Sequence, residues 1–112
     1  MAAMMPHAIQ LILCTCPDRN TAETLARLLV SEGLAACVNI APNLVSIYSW
    51  QGQIESAEEC LMLIKARQDN YPAIETAIRK HHPYDLPEII AVSVQQGLPE
   101  YLHWINTCST AK

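Results

Sequence analysis

The stretch Ser46-Ile47-Tyr48-Ser49-Trp50-Gln51-Gly52-Gln53-Ile54, continued by Glu55-Ser56-Ala57-Glu58-Glu59-Cys60-Leu61-Met62-Leu63-Ile64-Lys65-Ala66-Arg67, decides the fold of this 112-residue chain. Its first part closes a β-branched, apolar segment, residues 34–50, in which Leu44, Ser46, Tyr48 and Trp50 alternate at the period of a strand. Pro42-Asn43 interrupts that segment and predicts a bend or bulge. Gln51-Gly52 has the length of a two-residue hairpin turn. Residues 54–67 are two-faced, because Glu55, Ala57, Glu58, Glu59, Leu61, Met62, Leu63 and Lys65 are good helix formers that fit either period. Propensity leans to helix, whereas the glycine turn and the strand before it lean to a hairpin. The residues alone leave both open.

The flanking segments are clearer. Residues 9–15 form a short apolar run stopped by Cys16-Pro17-Asp18, the pattern of a buried strand. A helix follows, with Asn20 and Glu23 at the offset of a capping box, Ala22, Leu25, Ala26 and Leu29 at helical spacing, and Gly33 as the stop. Asn70 is placed to cap a second helix with Pro72 in its first turn and Tyr71, Ile74, Ala77 and Ile78 as its apolar stripe. Arg79, Lys80, His81 and His82 load its C-terminal end, and Pro83 ends it. Residues 88–94 are apolar on both faces and predict a central or interface strand. Gly97-Leu98-Pro99 then opens a short helix carrying Tyr101, Leu102, Trp104 and Ile105. With the hairpin, the order is βαββαβ plus a terminal helix, an α+β, ferredoxin-like plan with helices on one face of an antiparallel sheet. The other, apolar face then needs a further subunit.

The length fits one domain, residues 9–112, preceded by a frayed segment, residues 1–8. A hydrophobic content of 51% against 16% charged is high for a single small domain and also points to a covered surface. A net charge of −4 without a basic run argues against nucleic acid and against an anionic membrane surface as partners. Five cysteines, odd in number and mostly inside apolar runs, suit a reducing compartment without disulfides. Neither a secretory signal nor a membrane span is legible, so a cytoplasmic location is expected.

Few residues offer chemistry. Cys14 and Cys16, two apart at a strand end, can point the same way and ligate copper or zinc, although C-x-C spacing by itself favours packing. His81 and His82 lie about 100° apart on a regular helix, but Pro83 pushes His82 out of helical geometry. Terminal histidines also simply complement the helix dipole. Cys14, His81 and His82 together would make a mixed sulfur and nitrogen set. His7, Met4 and Met5 offer further soft ligands, in the terminal segment. No orienting acid, oxyanion-hole motif or glycine-rich phosphate loop accompanies these residues, so an enzyme is not expected.

Five segments, Cys14-Thr15-Cys16-Pro17-Asp18, Leu34-Ala35-Ala36-Cys37-Val38-Asn39-Ile40, Ser46-Ile47-Tyr48-Ser49-Trp50-Gln51-Gly52, His82-Pro83-Tyr84-Asp85-Leu86-Pro87-Glu88-Ile89-Ile90 and Tyr101-Leu102-His103-Trp104-Ile105, resemble the divalent-cation tolerance (CutA) family in order and spacing. The resemblance covers residues 9–105 and implies a ferredoxin-like subunit whose long β-hairpin, residues 34–67, builds a homotrimer by pairing strands between subunits. It overrides the helical leaning of residues 54–67. It further implies a non-enzymatic role in metal tolerance, with copper, or zinc or another divalent cation, held by Cys14, His81 and His82. The alternative is a signalling or scaffolding trimer, PII-like in architecture, with a small ligand or partner protein in clefts between subunits. The chain departs from the family pattern at Gln51, where Glu is frequent, at Asn43, where Gly is usual, and at Cys16, a thiol where a small residue without one is common.

Overall fold

A computed structural model describes residues 8–109. Of the segment expected to fray, only Ala8 is described, and its carbonyl accepts the Gln68 amide at 2.7 Å; Met4, Met5 and His7 lie outside the described residues. The elements run β1 (Ile9–Cys16), α1 (Arg19–Ser31), β2 (Cys37–Trp50), β3 (Gln53–Arg67), a 3₁₀ turn (Gln68–Asn70), α2 (Tyr71–His81), β4 (Ile89–Ser93) and α3 (Pro99–Cys108). They make one antiparallel sheet in the order β2-β3-β1-β4. This is the expected α+β plan.

Residues 54–67 are a strand, against their helical propensity. β3 is paired on both edges, with β2 through Cys37↔Lys65 to Trp50↔Gln53 and with β1 through Ile9↔Arg67 to Cys16↔Cys60. Two ladders and the burial of Met62, Ile64 and Ala66 at 0% exposure outweigh the few tenths of a kcal/mol per residue that separate helix formers. The turn itself is of the mirror-image type that matches strand twist, with φ 51° at Gln51 and 79° at Gly52. At the predicted bulge, the β2–β3 register shifts between Ala41 and Leu44, and Asn43 takes φ 63°. Asparagine tolerates that left-handed conformation.

The helix ends correct two expectations. α1 is capped by Asp18, whose carboxylate accepts the Thr21 amide at 2.8 Å, and not by Asn20, which lies within the first turn. Asp18 wins because its extended backbone, φ −154° and ψ 169°, aims the side chain back at the helix; Glu23 pairs with Arg19 instead. The C-terminal stop is as expected, since Gly33 donates to the Val30 carbonyl and Leu34 to the Leu29 carbonyl, with Gly33 at φ 71°. Asn70 precedes α2 without a side-chain cap bond. Its buried amide instead donates to the Leu34 carbonyl at 3.0 Å and the Ser109 carbonyl at 2.7 Å, fastening the ends of α1 and α3 to the start of α2.

Register divides the sheet into two faces, because directly opposed residues share a side. Ile12, Cys14, Cys60, Met62 and Ile64 bury one face under Leu25, Leu29, Ile74 and Ile78 of the helices. The opposite face carries the rows Val92, Leu11, Lys65 and Ile90, Leu13, Leu63. α3 covers one end of it, where Ile105 packs with Ile9 and Lys65 reaches over the Tyr101 ring. β4 is an edge strand, not a central one, and Ile90 and Val92 are about half exposed. The hairpin stretches the molecule to 53 × 25 × 22 Å and leaves Val45, Ile47 and Ile54 exposed.

Two substitutions test this account by urea unfolding at fixed protein concentration. An added Cβ at Gly52 meets nothing within 4 Å, so Gly52→Ala should cost only the left-handed backbone strain of about 1–2 kcal/mol, and Gln51→Asn should not destabilise. Asn70→Ala strands two buried carbonyls and should cost about 2–3 kcal/mol; a loss below 0.5 kcal/mol, the usual scatter of surface changes, contradicts the clamp.

Candidate metal centre

Strand alternation and one proline assemble the candidate site. Cys14 and Cys16 occupy the core face of β1 at its exit, and both are fully buried. His82 follows α2 directly, in extended backbone at φ −79° and ψ 138°, the conformation that a following proline imposes. The turn throws its ring across the end of β1, where it is 8% exposed. The sulfur atoms of Cys14 and Cys16 and a ring nitrogen of His82 all lie within 4.8 Å of one another. Ligand atoms around one tetrahedral ion sit roughly 3.5–4 Å apart, so a small contraction would close this set on a cation.

Hydrogen bonding defines the state of the imidazole. The Tyr84 amide donates to Nδ1 at 3.1 Å, and the other nitrogen, Nε2, lies 2.8 Å from the Thr15 carbonyl. An amide only donates and a carbonyl only accepts, so the ring is neutral with its proton on Nε2. Both nitrogens are thus engaged, and coordination has to displace one of these bonds. The thiols are also held. Donation to the Cys16 sulfur and burial push the Cys14 thiol far up, while the same S–H bond lowers Cys16. Cys16 is therefore the readier thiolate, and Cys14 gives up its proton only to a strongly competing ion. Two thiolates and an imidazole form a donor set for soft or borderline cations such as copper and zinc.

Of the three residues expected to bind metal, the structure brings together Cys14 and His82. His81, the last residue of α2, is exposed and lies outside the three-ligand group. Cys16 stands in its place. The period-two spacing of Cys14 and Cys16 pointed to this pairing, but C-x-C alone does not separate a ligand from a packing residue.

On the other side of the Thr15 backbone lies a second feature, a cleft of about 750 Å³ lined by Tyr48, Trp50, Glu59, Tyr84, Asp85 and Glu88 among others. Glu59 is 9% exposed and accepts the Tyr84 hydroxyl at 2.9 Å. Burial, and then the Glu59 bond, raise the Tyr84 phenol, so the hydroxyl stays a donor. Tyr84 links the two features, since its amide holds His82 and its hydroxyl holds Glu59. The sequence reading missed this link because Glu59 and Tyr84 lie 25 residues apart and no local pattern pairs them. No helix among the described residues is long and apolar enough to cross a membrane.

Comparison with known proteins bears on this arrangement. Residues 10–108 match the family model described as CutA1 divalent ion tolerance protein. The chain is 43% identical over 102 residues to Protein CutA of Mus musculus, an alignment that takes in 91% of this chain but only 58% of the mouse protein. It is 43% identical over 97 residues to the divalent-cation tolerance protein CutA of Thermus thermophilus, with 87% of this chain and 94% of the relative covered. Among solved structures, CutA from Xylella fastidiosa superposes with a TM-score of 0.86 at 52% identity, covering 88% of this chain and 95% of that one. The chain is a member of the CutA1 divalent ion tolerance family.

Proposed function

We propose that the protein serves divalent-metal tolerance by binding copper, or a similar thiophilic cation such as zinc, without catalysis, as a cytoplasmic homotrimer. The observation that carries this reading is the buried Cys14, Cys16 and His82 group with its ligand atoms within 4.8 Å. Free cysteines throughout the described residues agree with a reducing compartment. Metal entry removes the two thiol protons and frees one imidazole nitrogen, so coordination is coupled to proton release. The open sheet face supports assembly, because Leu11, Leu13, Leu63, Ile90 and Val92 form a continuous apolar surface between two unpaired sheet edges. Three copies is the number that the family resemblance implies.

The cleft beside Glu59 supports the alternative, a PII-like signalling or scaffolding trimer that takes a small ligand. A thermal-shift screen of nucleotides, anions, amines and metals separates the two, since a ligand for the folded state raises the midpoint by mass action.

Competitive titration with copper(I) and zinc tests the metal reading. Losing a ligand should cost more than the 10–100-fold typical of outer-shell partners, so Cys14→Ala, Cys16→Ala and His82→Ala should each weaken binding at least about tenfold, and His81→Ala should not. Equal affinity in wild type and in the Cys14→Ala, His82→Ala double variant rejects this site. Because the folded protein holds the Cys14 proton far above the usual thiol range, protons compete with metal throughout the neutral range. Affinity should fall steadily as pH is lowered from 8 to 6, and a flat profile speaks against thiolate ligation. In a separate measurement, sedimentation at micromolar concentration should give a trimer, and a stable folded monomer overturns the assembly.

A further inference from the structure

The geometry points to a covalent modification site in the core: Cys16 of β1 and Cys60 of β3 form a reversible cross-strand disulfide when the protein meets a peroxide-class oxidant. The two residues are register partners in the antiparallel β1–β3 ladder. Opposed residues have Cα atoms about 4.5–5.5 Å apart and side chains on one face, inside the roughly 4.4–6.8 Å span that a disulfide bridges. Both side chains belong to the same buried cluster, with Cys16 at 0% and Cys60 at 6% exposure.

The competing partner for Cys16 is Cys14. Its sulfur lies within 4.8 Å of the Cys16 sulfur, but two residues along one extended strand are separated by about 6.6 Å, near the limit of the disulfide span. Cross-strand closure is therefore favoured. Both thiols are buried, so the oxidant reaches them through local opening, and Cys16↔Cys60 is the terminal pair of the β1–β3 ladder, where a strand end opens most readily.

The chemistry balances. One sulfur attacks a peroxide oxygen, giving a sulfenic acid and one water. The second sulfur then displaces the hydroxyl, which leaves as a second water with that thiol's proton. Two thiols and one hydrogen peroxide become one disulfide and two waters, and a dithiol reductant reverses the bond. The bond takes Cys16 out of the three-ligand group, so metal and disulfide compete for it, and the oxidation is carried out on metal-free protein.

The test uses full-length protein carrying Cys108→Ser, which removes an exposed thiol prone to cross-linking between molecules. After peroxide treatment under native conditions, free thiols are alkylated and unreduced peptides are mapped by mass. The expected product joins the Cys16 and Cys60 peptides with loss of two hydrogens and is cleaved by dithiothreitol. It persists in Cys14→Ala and is absent from Cys60→Ala and Cys16→Ala, with circular dichroism confirming that each variant folds. A Cys14 to Cys16 link overturns the proposal. So does an over-oxidised Cys16 beside a free Cys60, or two unmodified thiols at a peroxide dose that fully oxidises Cys108 in the parent protein.

Discussion

Pairing of β3 along both of its edges is the constraint on which the rest of the structure depends. From Leu61 to Lys65 the strand is held by β2 on one side and β1 on the other, so its side-chain alternation is imposed on both neighbours. Met62 and Ile64 then face the helices, Cys60 meets Cys16, and Glu59 comes beneath the Tyr84 hydroxyl. A slip of one residue would send each of these groups to the opposite face. The left-handed turn at Gln51 and Gly52 and the bulge at Asn43 set the β2–β3 register.

From that frame the candidate metal centre follows with little freedom. Strand alternation aligns Cys14 with Cys16, and the break in α2 before Pro83 brings His82 to them. The imidazole is gripped at both nitrogens, and the hydrogen bond with Cys16 and burial hold the proton on the Cys14 thiol. Such a site resists occupation by weak ligands, because an incoming ion has to offset lost protons and a lost hydrogen bond with strong sulfur contacts. Preorganisation here takes the form of a closed, neutral, hydrogen-bonded cluster. Tyr84 ties that cluster to the acidic cleft, so a change on one side of the Thr15 backbone bears on the other.

The same sheet separates two kinds of apolar surface. Its inner face is sealed by α1 and α2. Its outer face is covered by α3 only at one end and runs outward along a hairpin with exposed Val45, Ile47 and Ile54. Among the described residues, β2 and β4 are the edge strands on either side of that face. Leaving so much apolar area and two open edges in water is unfavourable, which agrees with the surplus of hydrophobic residues in the composition.

Much of the fold was determined by the sequence alone, wherever the deciding forces are local. Gly33 ends α1 because glycine accepts a left-handed backbone, Pro83 turns His82 out of α2, and Pro42-Asn43 bulges β2. The pairing of Cys14 with Cys16 was legible as a spacing, and Cys14 and His82 as family positions. For residues 54–67 local propensity pointed the wrong way and the family resemblance supplied the strand; only tertiary structure decided the edge position of β4, the work of Asn70 as a clamp, and the presence of Cys16 and not His81 in the three-ligand group. Each of these depends on a partner far along the chain, and no short-range propensity or spacing encodes which distant strand, carbonyl or ring will arrive there.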